Sequence, residues 1–210
     1  MRFLYTCSLL VCGALPLVLG AADAPRVLID KEMQAGWAKH KIMPAGKAND
    51  AEFLRRVSLD LLGVVPSYEK ATSFIADQAA DKRTKLIDKL LADQRFFDHQ
   101  ADVWDLVFFG RNPSGGDGLR KREPFKKWLS EQFAKNVTYD RLVKELLIAE
   151  QAGAEYFYAQ FRNAPEDATV AISKLFLGTQ LQCARCHDHP FDSWTQKDFY
   201  GMTGFFVRLV

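Results

Sequence analysis

From residue 49 onward, apolar side chains return every three or four positions, with charged and polar ones between them. In NDAEFLRRVSLDLLG (49–63), Phe53, Leu54, Val57 and Leu61 share a helical face. Asn49 followed by Glu52 has the form of a capping box, and Gly63 stops the run. Pro66-Ser67 opens a second helix carrying Ala71, Phe74 and Ile75. Asp81 caps a third, striped by Leu86, Ile87, Leu90 and Leu91. A fourth, QRFFDHQADVWDLVFFG, is dense in aromatic residues and ends at Gly110.

Residues 111–118, RNPSGGDG, have no apolar period and read as an exposed loop. Helices resume over about 121–135 and 138–149, the second lined by Leu142, Val143, Leu146 and Leu147. Pro165, Glu166 and Asp167 suit the first turn of another, because proline fits there and acids favour the positive end. Its buried face is Ala168, Ile172, Leu175 and Phe176, and Gly178 ends it. Ser193-Trp-Thr-Gln196 resembles a capping box, and Ser193 or Thr195 is expected to begin a last helix with Phe199, Met202, Phe205 and Phe206. No stretch alternates as a strand would. The predicted fold is all-α: a single multi-helix domain over 23–210, with a short Cys/His-containing turn near the C-terminus.

The first residues follow a different pattern. In MRFLYTCSLLVCGALPLVLGAADAP, Arg2 precedes an apolar stretch over 3–19, and Gly20-Ala21-Ala22 offers a cleavage site. This reads as a secretory signal peptide over 1–22, too short to span a membrane, which implies a periplasmic or otherwise exported protein with no membrane span after cleavage. Cys7 and Cys12 leave with it, so the mature chain keeps Cys183 and Cys186. In an oxidising compartment a thiol pair is expected as a disulfide, metal ligands or haem thioethers.

Charge adds little. Lys and Arg number 28 against 26 Asp and Glu, a net +2 that gives no reason to expect nucleic acid as a partner. The densest basic stretch, Arg120-Lys121-Arg122 with Lys126-Lys127, reads as a solvated loop and helix face.

The chemistry concentrates in QLQCARCHDHPFDSW (180–194). Cys183-Ala-Arg-Cys186-His187 fits C-x-x-C-H, in which two thiols reach the two haem vinyl groups and the adjacent histidine ligates iron. Phe191, Trp194, Phe199, Tyr200, Phe205 and Phe206 are available to wall a haem pocket, although the same spacing also suits ordinary helix core. His187 is expected to face a pocket lined by Trp194, Phe199 and the aromatic fourth helix. For a distal iron ligand, His99 in that helix is the first candidate and Met202 the next; a plain helix histidine paired with Asp102 is the competing reading of His99. A zinc site would use Cys183, Cys186, His187 and His189, but four ligands within seven residues are hard to arrange tetrahedrally. A Cys183–Cys186 disulfide closes too small a loop to stabilise much. Asp188 and Asp192 do not make an assignable acid–base couple, and no catalytic residue is named.

The stretches FLRRVSLDLLGVVPS and LGTQLQCARCHDHPFDSWTQKDFYGMTGFF resemble the cytochrome-associated domain of unknown function found in large exported planctomycete proteins. The resemblance spans about residues 28–208, with Cys183, Cys186, His187, Asp188, His189, Pro190, Phe191, Asp192, Trp194 and Phe199 on its motif. It implies neighbouring cytochrome-like and family-specific domains, neither found in this chain, and supports haem by association only. Two functional expectations follow. One is an exported c-type haem protein that passes electrons to a partner. The other is a non-haem binding or interaction domain of an exported multi-domain protein, with the Cys/His cluster as disulfide or metal site.

Overall fold

The computed structural model describes residues 24–111 and 122–207. The expected signal peptide and residues 112–118 of the expected loop lie outside the described residues. Among the described residues there are ten α-helices and no strand, so the chain is all-α, as its periodicity predicts. No helix among them is long and apolar enough to cross a membrane.

The chain divides into compact units at Lys47 and Ala48. The described part of the first holds one helix, α1 (Pro25–His40), which none of the predictions covers. Val27, Leu28 and Ile29 are consecutive, so they project around the helix instead of forming a stripe. None of its residues is buried. Pro25 in its first turn and Lys41 in a left-handed cap mark its ends.

In the second unit the helices are α2 (Asp50–Leu62), α3 (Tyr68–Ala76), α4 (Lys82–Leu91), α5 (Gln94–Phe109), α6 (Glu123–Ala134), α7 (Tyr139–Ile148), α8 (Tyr156–Ala159), α9 (Pro165–Phe176) and α10 (Gln196–Thr203). A 3-10 turn, Gln182–Arg185, lies between the last two. Local chemistry sets most of the starts. Asn49 Oδ1 accepts the Glu52 amide at 2.9 Å, and Ser67 and Asp93 cap α3 and α5 through their side chains. Asp81, expected as a cap, instead pairs with Lys85 at 2.9 Å one turn on.

The core is aromatic. Phe125 of α6 is fully buried and meets Phe108 and Phe109 of α5 edge-on. Phe108 also meets Phe157 of α8 and Phe176 of α9. The basic stretch holds a correction. Arg122, expected in solvent, makes two 2.6 Å hydrogen bonds to the buried Asp105 carboxylate and lies over the Phe109 ring. Paired, planar and stacked, it satisfies an acid that would otherwise be costly to bury. Lys126 is held by Asp102 at 2.7 Å.

At the end of α2, Gly63 adopts φ +70°, and a Cβ there would lie 2.6 Å from His99 Nδ1 of α5. Two constraints therefore act at one residue: a left-handed backbone and no room for a side chain. We expect Gly63→Ala to cost on the order of 2–3 kcal/mol in urea unfolding. Adding His99→Ala should recover the steric share only. An unchanged midpoint in Gly63→Ala would contradict the described α2–α5 contact.

Candidate functional site

Beyond α9 the chain turns at Gly178, φ +65°, and enters the cysteine segment. Leu181 and Ala184 are buried beneath it, packed with Phe199 of α10, Val170 of α9 and Met202. Residues three apart eclipse in a 3-10 turn, so with Ala184 inward Cys183 and Cys186 share the outward side. Both are free, exposed thiols. The turn closes through the Cys186 and His187 amides, which donate to the Cys183 carbonyl at 3.3 and 3.4 Å.

A turn this short is held from outside. Gln196 Nε2 donates to the carbonyls of Arg185 and Cys186 at 3.2 and 3.4 Å, and the Tyr200 hydroxyl reaches the Arg185 carbonyl at 3.4 Å. The Gln196 amide donates to Asp188 Oδ1 at 2.8 Å. Arg185 pairs with Asp167 of α9 at 3.1 Å. Helix α10 is capped by Thr195, one of the two starts, Ser193 or Thr195, expected from the sequence. Thr195 and Asp198 cap each other reciprocally, whereas the Ser193 amide is taken by Asp192 next door. The hydrogen bonds from the Thr195 amide and hydroxyl hold the Asp198 carboxyl below the usual range.

His187 is exposed, and its Nδ1 lies 2.7 Å from the Asp188 carbonyl oxygen. A carbonyl only accepts, so Nδ1 carries the proton in this contact, and in the neutral ring the lone pair lies on Nε2. His189 is bound into its own turn: its amide donates to the Trp194 carbonyl at 2.8 Å, and Nδ1 accepts the Phe191 amide at 3.3 Å. Among the described residues, no three Cys, His, Asp or Glu side chains gather as a metal-binding group. Cys183, Cys186, His187 and His189 share one segment without converging on a point.

The expected pocket facing His187 does not form. Phe199 lies on the inner side of the turn, under Ala184, and the α5 rings are committed to Phe125, Phe157 and Phe176. The competing demand of the α5–α6 core takes those rings. Phe191, by contrast, is 94% exposed, and Trp194, Tyr200 and Phe205 are exposed as well. The distal candidates are also engaged elsewhere. His99 packs its ring on Gly63, and its expected partner Asp102 pairs with Lys126. Met202 sits on the Ala184 side, 3.4 Å from Ser173 Oγ, whose proton goes to the Thr169 carbonyl at 2.6 Å.

A family model described as PSCyt2, protein of unknown function (DUF1549), matches residues 28–210. The chain belongs to this family. No curated protein and no solved structure matches it. The matched stretch holds all the helices of the second unit and the whole cysteine segment, so the outward thiols and the α10 clamp lie within the family's domain.

The clamp should be acid-sensitive. A lowered Asp198 pKa contributes stability in full above about pH 4 and loses it as pH falls through the folded-state value, below the ordinary carboxylate range. Amide exchange over 196–203 is expected to speed up in that acidic window, and Asp198→Asn should abolish the acid step. Thr195→Ala should cost about 1 kcal/mol at neutral pH. An Asp198→Asn chain with the same acid step would assign it to another group.

Proposed function

We propose that this domain is an exported c-type haem carrier, with Cys183 and Cys186 as attachment points, His187 as proximal ligand and electron transfer as its role. The single observation that carries the reading is the contact of His187 Nδ1 with the Asp188 carbonyl. A haem-ligating histidine needs a free Nε2 with Nδ1–H donating to an oxygen, and His187 Nδ1 lies 2.7 Å from the Asp188 carbonyl. Two exposed thiols on the same side of one turn fit the attachment chemistry. The missing cluster of metal-binding side chains does not count against it, since iron in haem asks only one nitrogen of this segment.

When bound, haem supplies a one-electron couple at its iron. The chain's own residues do the rest. Cys183 and Cys186 fix position, Asp188 orients the imidazole through its carbonyl, and Gln196 and Tyr200 keep the turn from opening. The exposed rings of Phe191 and Trp194, in the same segment as the thiols, are available as apolar cover. His99 and Met202 are engaged in packing, so on this reading His187 is the side chain of this chain that would hold the iron.

The test is expression of the full chain with a c-type maturation system, followed by intact mass and absorbance. The expected result is a mass gain of one haem and a Soret band. His187→Ala should shift the spectrum strongly, while His99→Ala and Met202→Leu should leave it unchanged. An unmodified mass without a Soret band overturns the proposal and returns the pair to thiol or disulfide chemistry.

A further inference from the structure

A cavity of about 660 Å³ lies among α2, α3 and α4, built from residues that play no part in the cysteine segment. That volume falls within the range of small-molecule sites. Its apolar lining is Leu54, Leu62, Phe74, Leu86 and Leu90. One residue breaks the apolar stripe. Ser58 stands between Leu54 and Leu62 at helical spacing on α2, lines the cavity and is only 4% exposed. Its hydroxyl makes no hydrogen bond with any described residue, and it is not enclosed: it opens onto the cavity. A hydroxyl open to the cavity among apolar side chains is free to give its hydrogen bond to an oxygen or nitrogen of a molecule held there.

The rim has a charge surplus. Lys70, Lys82, Lys85, Lys89 and Arg95 line it, against Glu69, Asp77 and Asp93. All three acids already serve as local caps: Glu69 takes bonds from its own amide and Ser67, Asp77 accepts the Ala79 amide, and Asp93 holds Arg95. Of the cations, Lys82 is held by Asp50 and two carbonyls, Lys85 by Asp81, and Arg95 by Asp93. Among the described residues Lys89 has no ion pair, and Lys70 feels Asp93 only at a distance. These two stand on different helices, Lys70 on α3 and Lys89 on α4.

From the unpaired Ser58 hydroxyl inside and the two free lysines at the rim, we propose that this cavity binds a small amphipathic carboxylic acid with a hydrogen-bonding oxygen along its apolar body. The hydrocarbon lies on the leucines and Phe74, the internal oxygen meets Ser58, and the carboxylate meets Lys89 and Lys70. A cationic amphiphile of the same length would fill the same apolar space but meet the wrong charge.

The experiment is calorimetric titration of the full chain with three ten-carbon probes: 3-hydroxydecanoate, decanoate and decyltrimethylammonium. Saturable one-to-one binding is expected, strongest for the hydroxy acid and weakest for the cation. Lys70→Gln with Lys89→Gln should weaken both acids about tenfold. Ser58→Ala, which suits a helix interior and leaves the fold intact by circular dichroism, should erase the preference for the hydroxy acid while keeping decanoate binding. Absence of saturable binding overturns the proposal. So does equal binding of the cation, or affinities that neither substitution moves.

Discussion

The packing of Phe125 edge-on against Phe108 and Phe109 is the contact from which the rest of the second unit is built. It joins α5 to α6 and leaves Phe108 with faces free for Phe157 and Phe176. Phe176 brings α9 onto the same core. On α9, the fully buried Thr169 meets Thr203 of α10 at 3.0 Å. Helix α10 then supplies Phe199 beneath the cysteine turn and Gln196 and Tyr200 beside it. The candidate site is thus four contacts removed from a dry aromatic centre, and each step is short and specific. Its rigidity is borrowed, because a four-residue turn buries too little to stand alone.

Much of this was legible in the sequence. The apolar period marks α2 to α7 and α9, and Asn49, Ser67 and Gly63 mark ends with chemistry visible in the residue itself. Helix α1 escapes because it has no apolar face, and α8 because one turn is too short for a period to show. Arg122 was misread because a charge run looks solvated until its buried partner, seventeen residues away on α5, is known. The start of α10 stays open between Ser193 and Thr195 in the sequence, because Ser and Thr two apart both suit a cap. Only Asp198, three residues after Thr195, decides between them.

For the candidate site, spacing told which residues belong together but not which way they face. C-x-x-C-H names two thiols and an imidazole, and the eclipsing of a 3-10 turn brings both thiols to one side. The inward side was decided by Ala184, a residue with no chemistry of its own. Aromatic residues deceived for a related reason. Periodicity counts rings without saying which neighbour claims them, and the core claimed those of α5. His187 oxygen contacts, likewise, come from the following peptide group and not from any side chain a pattern would list.

The exposed rings of the cysteine segment carry the last step. Leaving a phenylalanine 94% exposed costs apolar hydration that a fold would normally avoid, and nothing in the turn needs Phe191 for its own geometry. The turn is fixed by hydrogen bonds to Arg185, Cys186 and Asp188, with Leu181 and Ala184 as its buried anchors. Aromatic surface in the same segment as two outward thiols and a histidine with a free Nε2 is therefore surplus to folding. Under the proposed function it has a use, because a planar apolar group attached at those thiols would cover it and be shielded in return. Folding and function then divide the segment by side: Ala184, Leu181 and Phe199 belong to the core, and Cys183, Cys186, His187 and Phe191 belong to whatever the domain carries.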